Sequence, residues 1–262
     1  MSGLDGARSA YSARVLGAVS RGRLSAEPLV ASPKHHMGDP IPFSGVTLIS
    51  PPGSLDARSW PTYQRLGMLQ TELRGRYAAS LIMTEPDNFH VTGADLVAGS
   101  RYLDHITQGE GGVDQYLSSL SEALQSATST EQLHLASAES LWRYAGLSLF
   151  GSALVALFYP EDERGYRALC QRRGEIYESA PLYELGVRAP RPLMTHVTLA
   201  YFTELLARDL SAQVDLTRDV CAMNARSFAQ DHMTIALDEL TLHTFEDMVR
   251  YRRATPQLSI AL

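Results

Sequence analysis

Two short segments of this 262-residue chain, Asn88-Phe-His-Val-Thr-Gly93 and Met194-Thr-His-Val-Thr-Leu-Ala-Tyr-Phe202, both contain His-Val-Thr. On an extended strand, side chains two residues apart share a face, so His90 with Thr92 and His196 with Thr198 each present an imidazole and a hydroxyl to one space. Imidazole exchanges protons near neutral pH, and a neighbouring hydroxyl can donate a hydrogen bond to a non-bridging phosphate oxygen. Two such units facing each other would supply an acid, a base and two phosphate donors, which suits phosphoester chemistry. His232-Met-Thr234 is a third such unit, set aside because the same half already holds the better-flanked motif around His196. His105, His134 and His243 have no such companion at spacing two and read as loop or strand histidines.

The motifs need strands, and the surrounding pattern supplies them. Val46 to Ser50 reads as a strand closed by Pro51-Pro52-Gly53, and Tyr63, Leu66, Leu69 and Leu73 give a helix from Trp60 to about Arg76 one buried stripe. Strands are expected at Ser80 to Met83 and Phe89 to Val97, then a helix from Val113 to Ser126 and a strand from Glu131 to Ala138. A long apolar strand follows from Leu147 to Tyr159, then a helix from Glu161 to Tyr177 and the second motif strand from Leu193 to Phe202. A polar helix over 205–228 and a last strand from Met233 to Leu242, with one irregularity in its period, complete seven or eight strands and four helices. This predicts an α+β fold of two related lobes of antiparallel sheet with outer helices. Residues 1–39, rich in Ser, Ala, Gly and Arg, read as an extension outside the core that can be removed with little effect, and residues 40–262 as the bilobal domain.

Composition narrows the class. With 45% apolar and 20% charged residues the chain can build a sizeable core, and a net charge of -6 argues against holding long duplex nucleic acid by bulk electrostatics. The two cysteines, Cys170 and Cys221, form no C-x-x-C pair, and the apolar runs are too short to span a bilayer. The opening residues lack a signal peptide's pattern, so the expected location is the cytoplasm, with no membrane partner. Basic charge is almost all arginine, with Lys34 the single lysine. The adjacent His35 and His36 have no ligand-spaced carboxylate or cysteine beside them and read as a solvated loop.

Over about residues 43 to 253 the paired His-x-Thr motifs, with strands and helices between them, resemble the two-histidine (2H) phosphoesterase superfamily, in particular bacterial RNA 2',3'-cyclic phosphodiesterases, also called 2'-5' RNA ligases. The segment around His196 is the better match, while Gly93 stands where the family pattern has an apolar residue and could admit close approach of a ligand. The resemblance implies a V-shaped cleft between pseudo-symmetric lobes, catalysis by His90, Thr92, His196 and Thr198, and no metal or other cofactor. It leans toward His196 as base and His90 as acid, although pseudo-symmetry makes either eligible.

The implied substrate is a nucleotide or short RNA ending in a 2',3'-cyclic phosphate. Tyr201 and Phe202 are candidates for base stacking, and Arg191, with Arg188, lies in the loop before the second motif. Strict alternation puts Phe202 on the side of His196, so Tyr201 would need a bulge to reach a ligand. Competing readings are the same fold acting on 2'-5' linked or cyclic oligonucleotides or ADP-ribose cyclic phosphate, and a nucleotide- or RNA-binding module without turnover. A metal site using Asp95 or Glu85 lacks an H-E-x-x-H helix; there is no G-x-S-x-G elbow, and Gly109-Glu-Gly-Gly112 fits no phosphate-loop pattern.

Overall fold

The computed structural model describes residues 3–109, 111–129, 140–188, 192–227, 232–247 and 251–262. The expected strand from Glu131 to Ala138 lies outside the described residues, as do Arg191 and His134. The chain begins with helix α1 (Gly3–Arg21), followed by a short hairpin, β1 (His35–His36) and β2 (Asp39–Pro40). Next come β3 (Gly45–Ile49), α2 (Trp60–Tyr77), β4 (Leu81–Met83), β5 (Thr92–Ala98), α3 (Ser100–Gln108) and α4 (Gly112–Thr128). The second half holds β6 (Leu141–Phe150), β7 (Ala153–Pro160), α5 (Glu163–Tyr177), α6 (Ala180–Glu184), β8 (His196–Phe202), α7 (Glu204–Arg208) and α8 (Leu210–Ser227). It ends with β9 (Thr234–Ala236), β10 (Glu239–Phe245), β11 (Tyr251–Arg253) and β12 (Ser259–Ala261).

The fold is α+β, built on two five-stranded antiparallel sheets. One has the order β11-β10-β3-β5, with β12 also on β10, and carries the first motif; the other, β4-β8-β7-β6-β9, carries the second. The lobes are therefore not the two halves of the sequence: β4 crosses into the second sheet, and β10 to β12 return to the first.

Several elements divide where the sequence suggested continuity. The apolar run from Leu147 to Tyr159 is the inner part of a hairpin, with Gly151 and Ser152 turning between β6 and β7, because both strands are buried and so lack a polar alternation to mark the turn. The last expected strand is really β9 and β10, which lie in different sheets; its broken period marks the crossing at Leu237-Asp238. The polar helix is α7 and α8, separated by Asp209, whose side chain accepts from the Ala212 N–H at 2.9 Å.

The N-terminal segment corrects the expectation of an extension outside the core. Tyr11, Val15, Ala18 and Val19 of α1, spaced at three, four and seven, are buried in the main hydrophobic core. Their small number in a Ser- and Gly-rich sequence hides the stripe, yet burial of Val15 alone contributes about 1.5 kcal/mol. Tyr11 then ties α1 to the second motif strand. Its hydroxyl donates to the Phe158 carbonyl at 3.0 Å and accepts from the Thr195 N–H, immediately before His196, at 2.9 Å. Burial lifts the Tyr11 phenol to about 12, so it stays a neutral donor.

Tyr11→Phe keeps the ring and strands two buried backbone groups, so it is expected to lower stability by about 1–3 kcal/mol. Urea denaturation monitored by circular dichroism checks this, and a loss below about 0.5 kcal/mol counts against the bridge. Removal of residues 1–39 should cost far more, by uncovering the core face that α1 occupies.

Candidate active site

Each motif strand contains an extra residue at the same offset from its histidine, and β5 has a second one at Leu96, between Asp95 and Val97. On β5, Thr92 pairs with Ile49 and Ala94 with Leu48, leaving Gly93 as a bulge. On β8, Thr198 pairs with Val155 and Ala200 with Leu154, leaving Leu199 as a bulge. A bulge resets the alternation of the side chains that follow it, up to the next irregularity. Asp95 consequently joins the face of His90 and Thr92, and Tyr201 joins that of His196 and Thr198.

This resolves the two aromatic candidates in opposite ways. Tyr201 faces the motif and its hydroxyl shares a hydrogen bond with Thr198, while burial pushes its phenol up to about 12. Phe202, expected to contact substrate, is instead 0% exposed in the core, because strict alternation did not allow for Leu199. Gly93 likewise serves packing rather than ligand approach, since a Cβ there would overlap the Leu240 side chain. Arg188 lies over the Tyr183 ring at 3.5 Å and donates to the carbonyls of Tyr183 and Val187.

The bulge carbonyls are held by helices. Leu199 O accepts from the Thr84 N–H at 2.9 Å and from Gln70 Nε2 of α2 at 2.7 Å. Gln70, only 6% exposed, also donates to the Thr84 carbonyl at 2.6 Å. In the other strand Gly93 O accepts from Arg173 of α5, and Asp95 O accepts from the Tyr177 hydroxyl at 3.1 Å.

The two histidines are set in one way. His90 Nδ1 lies 2.7 Å from the Asn88 carbonyl and His196 Nδ1 lies 2.6 Å from the Met194 carbonyl, each two residues back. A carbonyl can only accept, so both Nδ1 atoms carry hydrogen, and the neutral rings keep their lone pair on Nε2. An aromatic ring supports each: Tyr251 is edge-on to His90 at 4.4 Å between centroids, and Phe150 lies 5.2 Å from His196. Both histidines are partly exposed, as are Thr92 and Thr198.

The environment lowers His90 to about 4. Burial is the main cause, opposed by the hydrogen bond to Asn88; His243, His196 and Lys34, all within electrostatic reach, depress it further. His196 lies close enough to His90 for its charge to act there, so the two motifs are neighbours in space. Sequence reasoning missed three contributors. His243, 1% exposed on β10, pairs with Thr47, whose other partner is Asp95, so a row of polar side chains crosses this sheet face. Lys34 and His35 reach the cleft from the segment before β3: the Lys34 ammonium is 5.6 Å from the Tyr201 ring centroid and the His35 ring 5.0 Å. Only the rarity of lysine in the sequence could have drawn attention to them.

His232 is exposed beside β9, an edge strand beyond β6, remote in sheet order from β8. Among the described residues no cluster of three or more His, Cys, Asp or Glu side chains is arranged to hold a metal ion, and no helix is long and apolar enough to cross a membrane.

No protein-family model and no curated protein matches the chain. Among solved structures it is similar to the conserved protein of unknown function ATU0111 from Agrobacterium tumefaciens, at 16% identity and TM-score 0.47 over 90% of this chain and 97% of that one. It is also similar to Kluyveromyces marxianus Usb1, whose structure was determined with uridine monophosphate, at 10% identity and TM-score 0.41 over 84% and 98% of the two chains. Likenesses at this level carry no argument about the reaction.

Two outcomes follow from the geometry. Because folding lowers the pKa of His90 below its unfolded value near 6.5, its neutral form is favoured by the fold, and this contribution is complete above pH 6.5 and lost as pH falls toward 4. His90→Gln should therefore show a smaller drop in urea midpoint between pH 7 and pH 5 than the natural chain; an equal drop rejects the shift. Gln70→Leu removes the side-chain donor to the Leu199 bulge, leaving only the Thr84 N–H, and should cost about 1–3 kcal/mol, with the loss read from the same denaturation curves.

Proposed function

We propose that this protein is a phosphodiesterase of the two-histidine type that opens a ribose 2',3'-cyclic phosphate on a nucleotide or RNA end, without a metal. One observation carries the reading. Two His-x-Thr units sit at equivalent bulges, His196 on β8 and His90 two residues before β5, and each histidine is fixed through Nδ1 with Nε2 left for proton transfer.

The chemistry follows from those atoms. One Nε2 takes a proton from water as its oxygen attacks phosphorus, and the opposing Nε2–H protonates the ribose oxygen that departs in line. Thr92 and Thr198 donate to the non-bridging oxygens as negative charge grows there. The low pKa of unliganded His90 keeps its lone pair available at neutral pH, which supports His90 as the base and His196 as the acid. That order reverses the one suggested by family resemblance. Tyr201, beside Thr198, supports stacking of a base or ribose next to the phosphate.

The test is hydrolysis of 2',3'-cyclic mononucleotides and of short RNAs with a cyclic phosphate end. His90→Ala and His196→Ala should each reduce kcat by about 10²- to 10⁴-fold while the chain stays folded at the assay temperature, as circular dichroism would show. Thr92→Val and Thr198→Val delete one donor to a charged group, about 1.5–3 kcal/mol, and should reduce kcat/KM roughly ten- to a hundredfold, with serine retaining more. Activity should survive EDTA. Losses below threefold in either histidine variant, or activity lost to chelation and restored by a divalent ion, would replace this reading.

A further inference from the structure

We propose that Lys34 is the cation that recognises the substrate phosphate, and that the segment carrying it forms a third wall of the cleft beside the two motif strands. This rests on the phosphodiester reading and adds to it a residue outside both motifs.

The position of Lys34 is built rather than incidental. The preceding segment is tied to the motif strand by the Ser32 N–H, which donates to the Phe202 carbonyl at the end of β8 at 2.9 Å. The following segment is tied to the other sheet by the Phe43 N–H, which donates to the Glu246 carbonyl just after β10 at 2.9 Å. Between these anchors Lys34 N donates to Ser32 Oγ at 3.3 Å and its carbonyl accepts from the Ile41 N–H at 3.0 Å. The backbone at Lys34 is thus fixed from both lobes.

Its side chain points into the cleft. The ammonium lies over two rings, 5.3 Å from the centroid of Phe43 and 5.6 Å from that of Tyr201. Tyr201 is hydrogen-bonded to Thr198, and the Lys34 charge is felt by both His35 and His90. From an acidic chain of net charge -6, this site gathers the only lysine with His35, His90 and His196, and His243 lies buried within electrostatic reach of His90. Asp95 and Asp247 also face it, acting on Tyr251. An ammonium packed over aromatic rings is only partly hydrated, which strengthens its attraction for an anion. A nucleoside phosphate fits all three features: an anion for Lys34, donors at the threonines, and rings for the base.

The experiment uses the full chain with Lys34→Gln and Lys34→Arg, uridine 2'-monophosphate and uridine as calorimetric probes, and cyclic 2',3'-uridine monophosphate as substrate. Lys34→Gln should weaken monophosphate binding at least tenfold, leave uridine binding within twofold, and raise KM more than it lowers kcat. Lys34→Arg should recover monophosphate binding to within about threefold. Unchanged monophosphate binding in Lys34→Gln, an equal loss for uridine, or no binding of the monophosphate by the natural chain overturns the assignment. If the natural chain binds the monophosphate through Lys34 but turns over no cyclic phosphate, the cation site stands and the reaction assignment falls. Normal turnover with a Lys34-independent KM rejects the cation site alone.

Discussion

Strand periodicity alone would turn Tyr201 away from His196 and Thr198, and the extra residue Leu199 reverses that. The same displacement occurs at Gly93, where it brings Asp95 round to His90 and Thr92. A bulge leaves a backbone carbonyl outside the regular ladder, and a buried one must find a donor. Gln70 and the Thr84 N–H supply it for Leu199, and Arg173 supplies it for Gly93. The helices behind the sheets therefore help determine which side chains line the cleft. Their apolar stripes fix where they pack, and one polar residue on each then fixes the register of the strand ahead.

Nδ1 bonding imposes a second condition. Were Nδ1 of either histidine free, the ring could turn and its protonated nitrogen would be undefined. A carbonyl two residues back removes that freedom at both sites. His243 repeats the arrangement with the Thr241 carbonyl at 3.2 Å, but it is buried where a ligand does not reach. When protonated it would depress His90 further, but burial lowers its own pKa as well. The cost of grouping such side chains is visible in the lowered pKa of His90, His35 and His243, each due first to burial.

The motifs, their strands and the α+β class were legible because His-x-Thr on a strand is a local pattern whose meaning depends on two-residue periodicity. Tyr63, Leu66 and Leu73 mark α2 in the same way, all three being buried. What could not be read was non-local. The Leu199 bulge depends on Gln70, 129 residues away, and the hairpin of β6 and β7 hides its turn in continuous apolar sequence. The burial of α1 depends on partners such as Phe158 and Thr195, which composition near residue 11 does not announce. Lys34 reaches the cleft only because both ends of its segment are tied to different sheets.

Those distant ties bear on how the cleft keeps its shape. The chain passes from β3 in one sheet to β4 in the other, back to β5, across again to β6 through β9, and returns as β10 to β12. Four connections thus join the sheets, so neither is a continuous stretch that could fold and dock as a separate domain. Opening the cleft widely would require these connections to move together and would expose the apolar residues that form one cluster across both lobes. The distance between the histidines is accordingly set by the core. The hairpin of β1 and β2 is different: its strands are mostly exposed and its tip residue, Met37, is 83% exposed. Adjustment to ligands of different size therefore falls first on the hairpin tip around Met37, while Lys34, anchored from both sheets, stays in place with the histidines and threonines.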